Sequence, residues 1–496
     1  MTLALVFVAG FAALSWEAIW QIEASLSIGV SALGTAITLA STMAGMAAGA
    51  LLMGRFLRAR TIARPLALYG ALELVIGLSG VVLLAPGFAA IERLDGAHYL
   101  THPRLIPLVH LVAIVLLLAP QTIAMGATIP LFGCIAREQN RSLSTLYASN
   151  TAGATLGVFT VTFGFLPYLG VEVTGFAIAC ANLAVAAIAQ LHRPGSASPS
   201  TISAPPQREE HSASSLAVPA RQALLVAFST GLVSFGLEVA WFRALRAAFW
   251  STTQSFGVLL ISVLMPLALG ARLARSTYRR RIPLGALLAA AAILALSATP
   301  LIERSDRFLS GRLLPFWPTV LLWTVCALAT IGPSMAVLGI CLPRLLDETR
   351  APDAWGRIYA ANTAGSVLGA LGAGWLALPH LGFARTVWLF AGGLLALGVA
   401  LGRGRVRLLS TGVGIASLAL AVAGESGLGR TRVSTVLTER IVRIVDFREG
   451  PDSTYAVIDN DHGARLLMID GFVATGEISA GHYMPWIHRR RSGRPW

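Results

Sequence analysis

Two glutamates stand out because each lies inside an otherwise apolar run. Glu17 falls three residues before Trp20, and Glu238 three residues before Trp241, so on a helix each carboxylate sits one turn from an indole. A carboxylate at bilayer depth is costly unless it faces a partner or a watery cavity. Such a residue therefore marks a proton or cation site, one per helix. The bland alternative places each near the outer interface, paired with an Arg such as Arg243. Asn150 and Asn362 form a second pair, in Tyr147-Ala148-Ser149-Asn150-Thr151-Ala152-Gly153 and Tyr359-Ala360-Ala361-Asn362-Thr363-Ala364-Gly365. Their small residues at four-residue spacing suit close helix packing, and their amides can bond between helices or line a substrate path.

The elements that position these residues are helices in lipid. The chain has 496 residues, 55% hydrophobic and 12% charged, with a mean hydropathy of +0.70. Soluble domains carry about 25% charged residues, so this composition excludes one. Apolar runs long enough to span a bilayer fall at 3–22, 29–54, 66–88, 105–135, 145–169 and 171–191. Six more follow at 222–242, 255–273, 283–302, 316–346, 356–381 and 384–402, and a thirteenth at 406–424. The first run lacks a small-residue cleavage site and reads as a retained helix rather than a signal peptide.

The two sets of six are copies. Gly10, Glu17 and Trp20 match Gly231, Glu238 and Trp241; Pro120, Gly126 and Pro130 match Pro333, Gly339 and Pro343. Gly157, Pro167, Gly170 and Thr174 return as Gly369, Pro379, Gly382 and Thr386. An even number of spans per copy gives a parallel repeat, the arrangement of the two halves of major-facilitator transporters. The prolines are expected to interrupt their long segments around an internal cavity. The fold expected is an all-α polytopic membrane protein of two parallel six-helix repeats and one further helix, with a small C-terminal β-hairpin region. Its divisions are 1–191 (first repeat), 192–220 (polar linker), 221–402 (second repeat), 403–424 (thirteenth helix) and 425–496 (β-region).

The net charge of +14 does not point to nucleic acid, because every one of the 38 basic residues is Arg and most lie in short loops. Loops after the even-numbered spans hold roughly twenty arginines and the others roughly eight, which by the positive-inside rule puts the N-terminus and linker in the cytoplasm. Thirteen spans then put the C-terminal region outside. Four cysteines lie in or beside apolar runs without metal-like spacing and read as small buried hydrophobes. His462, His482 and His488 lack ligand spacing, so no metal site is expected.

Beyond residue 425 the pattern alternates. Ser453 to Asp459 and Ala464 to Asp470 read as strands around an Asn460-Asp461-His462-Gly463 turn, giving a hairpin over 449–471.

Glu449-Gly450-Pro451-Asp452-Ser453-Thr454-Tyr455, Leu466 through Asp470-Gly471, and His482-Tyr483-Met484 resemble the small β-domain that opens spermidine synthases. The membrane part, with its Glu-x-x-Trp first helix, Met125-Gly126-Ala127-Thr128-Ile129-Pro130 and the Asn-Thr repeats, is similar to the bacterial membrane-fused form of that family. The resemblance implies aminopropyl transfer from decarboxylated S-adenosylmethionine to a polyamine, on a Rossmann-like domain. The chain stops at Trp496 ahead of that domain, and Tyr483-Met484 lacks the carboxylate of the synthase motif. The expectation is therefore an integral membrane spermidine synthase-like protein in the bacterial inner membrane, truncated or split before its nucleotide-binding domain. It holds no cofactor and no catalytic residue in this chain, and it needs a separate Rossmann-like catalytic chain to take decarboxylated S-adenosylmethionine as co-substrate. Asp470, Gly471, His482 and Tyr483 are its family-matching positions. Two rival expectations are a secondary transporter for a polyamine or other organic cation, resting on the repeats and paired glutamates, and a non-catalytic membrane scaffold. In each, the bilayer is the partner and nucleic acid is not.

Overall fold

In lipid every backbone N–H and C=O must be satisfied within its own segment, so the apolar runs have no choice but to be helical. The computed structural model describes residues 1–28, 32–98, 106–192, 219–249, 253–302, 315–349, 352–427, 441–449, 454–460, 464–469 and 472–477. The first half is built from α1 (Thr2–Ile28), α2 (Ala32–Ala59), α3 (Pro65–His98), α4 (Ile106–Glu138), α5 (Leu143–Thr160) and α6 (Leu166–Leu191). The second is built from α7 (Ala220–Ala248), α8 (Thr253–Arg279), α9 (Leu284–Ile302), the pair α10 (Phe316–Thr330) and α11 (Gly332–Glu348), α12 (Pro352–Leu371) and α13 (Leu378–Leu401). A last helix, α14 (Gly404–Gly427), is apolar enough to cross a membrane and packs on α9 and α13. This is a multi-pass membrane protein.

Packing repeats between the halves. α1 lies on α5 as α7 lies on α12, α2 on α4 as α8 on α11, and α3 on α6 as α9 on α13. The halves then meet along two matching seams, α2 against α12 and α5 against α8. Leu116, Phe176 and Leu321 are among the large apolar side chains turned outward, as a lipid-facing surface requires. Trp16, Trp20, Trp241 and Tyr69 are fully buried.

The repeated Gly and Pro positions have visible work. Pro167 and Pro379 lack the N–H that an α-turn needs, and the turns just before them widen into π-helical segments, Val161–Phe165 and Gly372–Ala377. Gly170 and Gly382 then break the helix with φ of 75° and 73°, a left-handed conformation that favours glycine. Thr174 and Thr386 donate to their carbonyls at 2.5 and 2.7 Å. The proline expectation needs correcting at three of its four positions, since α4 runs unbroken through Pro120 and Pro130 and α11 through Pro343. The counterpart of α4 does break, at Ile331, where α10 and α11 meet at a 59° bend. α3 also continues past the expected end at 88, to His98.

At the end of the bundle carrying the Arg-rich loops, contacts tie the halves together. Arg58 at the end of α2 pairs with Asp353 at the start of α12 (3.5 Å), and the Arg137 guanidinium lies 4.6 Å from the Trp355 ring. Asp347 of α11 accepts the Ser144 backbone N–H at 3.0 Å, capping the start of α5.

The C-terminal region is larger than a hairpin. Four strands, β1 (Ile441–Glu449), β2 (Thr454–Asn460), β3 (Arg465–Ile469) and β4 (Phe472–Glu477), form an antiparallel meander in chain order. The expected hairpin is its central pair, with Ile458 opposite Leu466 and Ala456 opposite Met468. These four residues are buried on one face. Arg465 pairs with Asp459 at 2.8 Å and holds that carboxyl below the usual range. Asp470, Gly471, His482 and Tyr483, the 461–463 turn, and residues 193–218 of the linker lie outside the described residues. Of the cysteines, Cys341 is buried and Cys134 and Cys326 are partly so, but Cys180 is exposed, against expectation.

Candidate functional site: an acidic cavity between the halves

The glycines of the repeated motif fix where α1 and α7 run. A Cβ on Gly10 would collide with the Asn150 carbonyl, and one on Gly231 with the Asn362 carbonyl. Gly153 and Gly157 admit the α1 backbone equally closely, as Gly365 and Gly369 admit that of α7. The motif is thus a helix-packing device on one face. Its other face, carrying Tyr147 and Asn150 in one half and Tyr359 and Asn362 in the other, borders a cavity of about 230 Å³. Helices of both halves contribute to its wall. Gly45 and Gly49 pack α2 against α4.

Glu17 and Glu238 both line this cavity, within electrostatic reach of each other. At 1.5 Å per residue, Glu17 lies about 22 Å from the start of α1 and about 16 Å from its end, close to mid-membrane. Neither glutamate is paired with a basic residue among the described residues, so pairing with Arg243 near the outer interface is not the arrangement found. Tyr359 also sits near Glu17 and Tyr147, and its hydroxyl contacts the Met46 sulfur at 3.8 Å. Trp20 borders the cavity too, and its indole N–H, like that of Trp241, is buried without a hydrogen-bond partner among the described residues.

The two asparagines are not equivalent. Asn362 donates to the Ala227 carbonyl at 2.9 Å and the Thr230 hydroxyl at 3.4 Å. Asn150 borders the cavity with no such bond among the described residues, and Ala9 stands where the second half has Thr230.

A third carboxylate, Glu73 of α3, was not singled out from the sequence and also lines the cavity. It is 2% exposed, and Asn182 of α6 donates to it at 2.7 Å. Asn182 in turn accepts from the Trp16 indole at 3.0 Å. An indole is only a donor, so this bond fixes the amide with its NH₂ toward Glu73. The Tyr69 hydroxyl also lies beside the Glu73 carboxylate. The signal that could have found Glu73 is the one that found Glu17, an acid inside an apolar run; it was hidden because α9 has no matching acid.

Three acids and no basic side chain among the described residues therefore line the cavity. Toward the end of the first half opposite the Arg-rich loops, Glu92 and Glu172 both lie within electrostatic reach of Glu23. Such an arrangement raises the local concentration of cations. Among the described residues no cluster of ligating side chains suits a metal ion.

No family model matches the chain, and no curated protein matches it. Among solved structures it is similar to the nucleoside transporter NupG, in a mutant form (TM-score 0.45, 13% identity, 81% of this chain and 99% of that one) and an unmutated form (0.45, 12%, 81% and 97%). It is also similar to the major facilitator superfamily proton:xylose symporter XylE (TM-score 0.41, 14% identity, 81% of this chain and 94% of that one).

Proposed function

We propose that this chain is a secondary transporter for small organic cations of the polyamine class. The observation that carries the reading is the cavity between the halves, lined by Glu17, Glu238 and Glu73 with no basic residue among the described ones. A desolvated carboxylate needs a cation or a proton, and two open carboxylates facing one space suit a ligand bearing ammonium groups. In this reading Glu17 and Glu238 pair with the ammonium groups, Trp20 offers an aromatic face, and the Asn150 carbonyl accepts an N–H. The halves rock about the α2–α12 and α5–α8 seams. Arg58–Asp353, Arg137–Trp355 and the Asp347 cap hold one end shut, the cytoplasmic end if the Arg-rich loops face inward. The divisions at 192–220 and 403–424 separate the two repeats from each other and from the C-terminal sheet. The transporter needs no cofactor.

Uptake of labelled putrescine into liposomes carrying the purified full chain tests this. Saturable uptake that is lost in Glu17→Gln/Glu238→Gln supports it, and unchanged uptake in that variant refutes it.

The β1–β4 meander favours a second reading, a membrane-bound aminopropyltransferase component that borrows a Rossmann-like chain. In that case the sheet is the docking module, and Asp470, Gly471, His482 and Tyr483 belong to it. Failure of the purified protein to bind decarboxylated S-adenosylmethionine even with that chain present excludes it.

A further inference from the structure

The three cavity acids divide into two kinds. Glu17 and Glu238 are only partly buried and make no hydrogen bond among the described residues, so a bulky cation can reach them. Glu73 is almost fully buried, and Asn182 and Tyr69 already crowd its carboxylate. An ammonium group with its carbon chain has no room there, but a proton does.

We propose that Glu73 is the coupling site of this transporter, a carboxylate that carries one proton opposite to the organic cation. The inference rests on the transport reading above and names what drives it. When the cation leaves Glu17 and Glu238, Glu73 takes a proton from cavity water; when the cation enters, that proton returns to water, so the proton replaces one of the two positive charges that a diamine carries away. Asn182 serves both states of the acid, because its NH₂ can donate to a carboxylate or to the carbonyl oxygen of the neutral form. The groups facing Glu73 are few. Tyr69 is on its own helix, Asn182 is on α6, and Glu17 on α1 borders the same cavity. α4 presents Gln121, which donates to the Ile76 carbonyl at 2.9 Å, and Met125. None of these is basic, so among the described residues no fixed cation holds Glu73 ionised.

The chain also offers a route for coupling. Glu73, Asn182 and Trp16 are linked in series, and Trp16 is the residue next to Glu17. A shift of α1 on cation binding therefore reaches the Asn182 amide directly. Among the described residues the second half has nothing comparable. α9 carries only Ser297 and Thr299 as polar residues, Leu394 stands for Asn182, and Leu237 for Trp16. Coupling is thus a property of one half, while cation binding is shared.

The full chain in liposomes decides this by two assays with labelled putrescine. One is accumulation driven by an imposed pH gradient; the other is counterflow against unlabelled putrescine, which needs no net proton movement. Wild type should do both. Glu73→Gln should keep counterflow and lose gradient-driven accumulation by tenfold or more, while Glu73→Asp should recover part of it. Retained accumulation in Glu73→Gln overturns the assignment. Loss of both activities in the Gln variant with both restored in Asp makes Glu73 part of the cation site and also overturns it. Absence of counterflow in wild type instead removes the transport reading itself.

Discussion

The two halves share a backbone plan but spend their buried polar groups differently. The first half concentrates them at the cavity, as Glu73, Asn182, Trp16 and Tyr69. The second half also lines the cavity with Glu238 and Asn362, but among the described residues it has no counterpart of that cluster, and it places its buried ion pair at the membrane edge. Arg344 and Glu348 of α11 are both under 10% exposed, 2.8 Å apart, and Arg344 also donates to the Ile282 carbonyl. At the matching places of α4 the first half has Leu131 and Ile135. A duplicated scaffold can therefore keep its glycine seams while each copy acquires its own polar cluster. A cluster inside the cavity is positioned to act on a ligand; one at the edge is positioned to hold helices.

The largest expected effect lies in the edge cluster. Arg344→Ala should destabilise the protein by about 3–5 kcal/mol, since it strands Glu348 in a buried site. Replacing both residues by the first half's own, Arg344→Leu with Glu348→Ile, should be neutral or stabilising by about 1–4 kcal/mol. Thermal unfolding in detergent compares the two; equal losses would break the contrast between the halves.

Next comes Asn182→Leu, which installs the second half's residue in the first. It leaves Glu73 without its donor and the Trp16 N–H without its acceptor, at about 1–3 kcal/mol for each group. The reciprocal Leu394→Asn should gain nothing, because no acid awaits it in α9.

The asparagine pair sharpens the comparison further. Asn362→Ala should cost about 1 kcal/mol of stability, the worth of its bond to Ala227, whereas Asn150→Ala should leave the melting point unchanged and weaken putrescine binding. Equal melting shifts would make both purely structural.

The smallest effect belongs to the C-terminal sheet. The hydrogen bond from Arg465 lowers the Asp459 pKa, so the pair's contribution is fully present above the ordinary carboxylate range and is lost as pH falls below it through the lowered value. Protease protection of the sheet should drop slightly on acidification in wild type, and Asp459→Asn should remove that dependence.

Much of the scaffold was legible because lipid makes its demands in sequence. Apolar runs give the helices, and ordered matches such as Gly170 with Gly382 give both the repeat and the break between the last two spans of each half. The π-helical turns before Pro167 and Pro379 follow from the missing proline N–H, but their width does not show in spacing alone. The site was half legible. Glu17 and Glu238 drew notice because duplication retained both, and the same reliance on pairs hid Glu73, whose partners Asn182 and Trp16 lie 109 and 57 residues away and have no counterparts. The hairpin grew to four strands because β1 carries Arg443, Asp446 and Arg448 on an exposed edge and breaks its register twice against β2, which blurs alternation.

The central claim is that the cavity acids of both halves hold one organic cation. Equilibrium binding of labelled putrescine to the purified full chain in detergent tests it most directly. Saturable binding in wild type that weakens about 30-fold or more in Glu17→Gln and again in Glu238→Gln is the result predicted, given about 2 kcal/mol or more for each buried charge contact. Binding that survives both substitutions unchanged would contradict it.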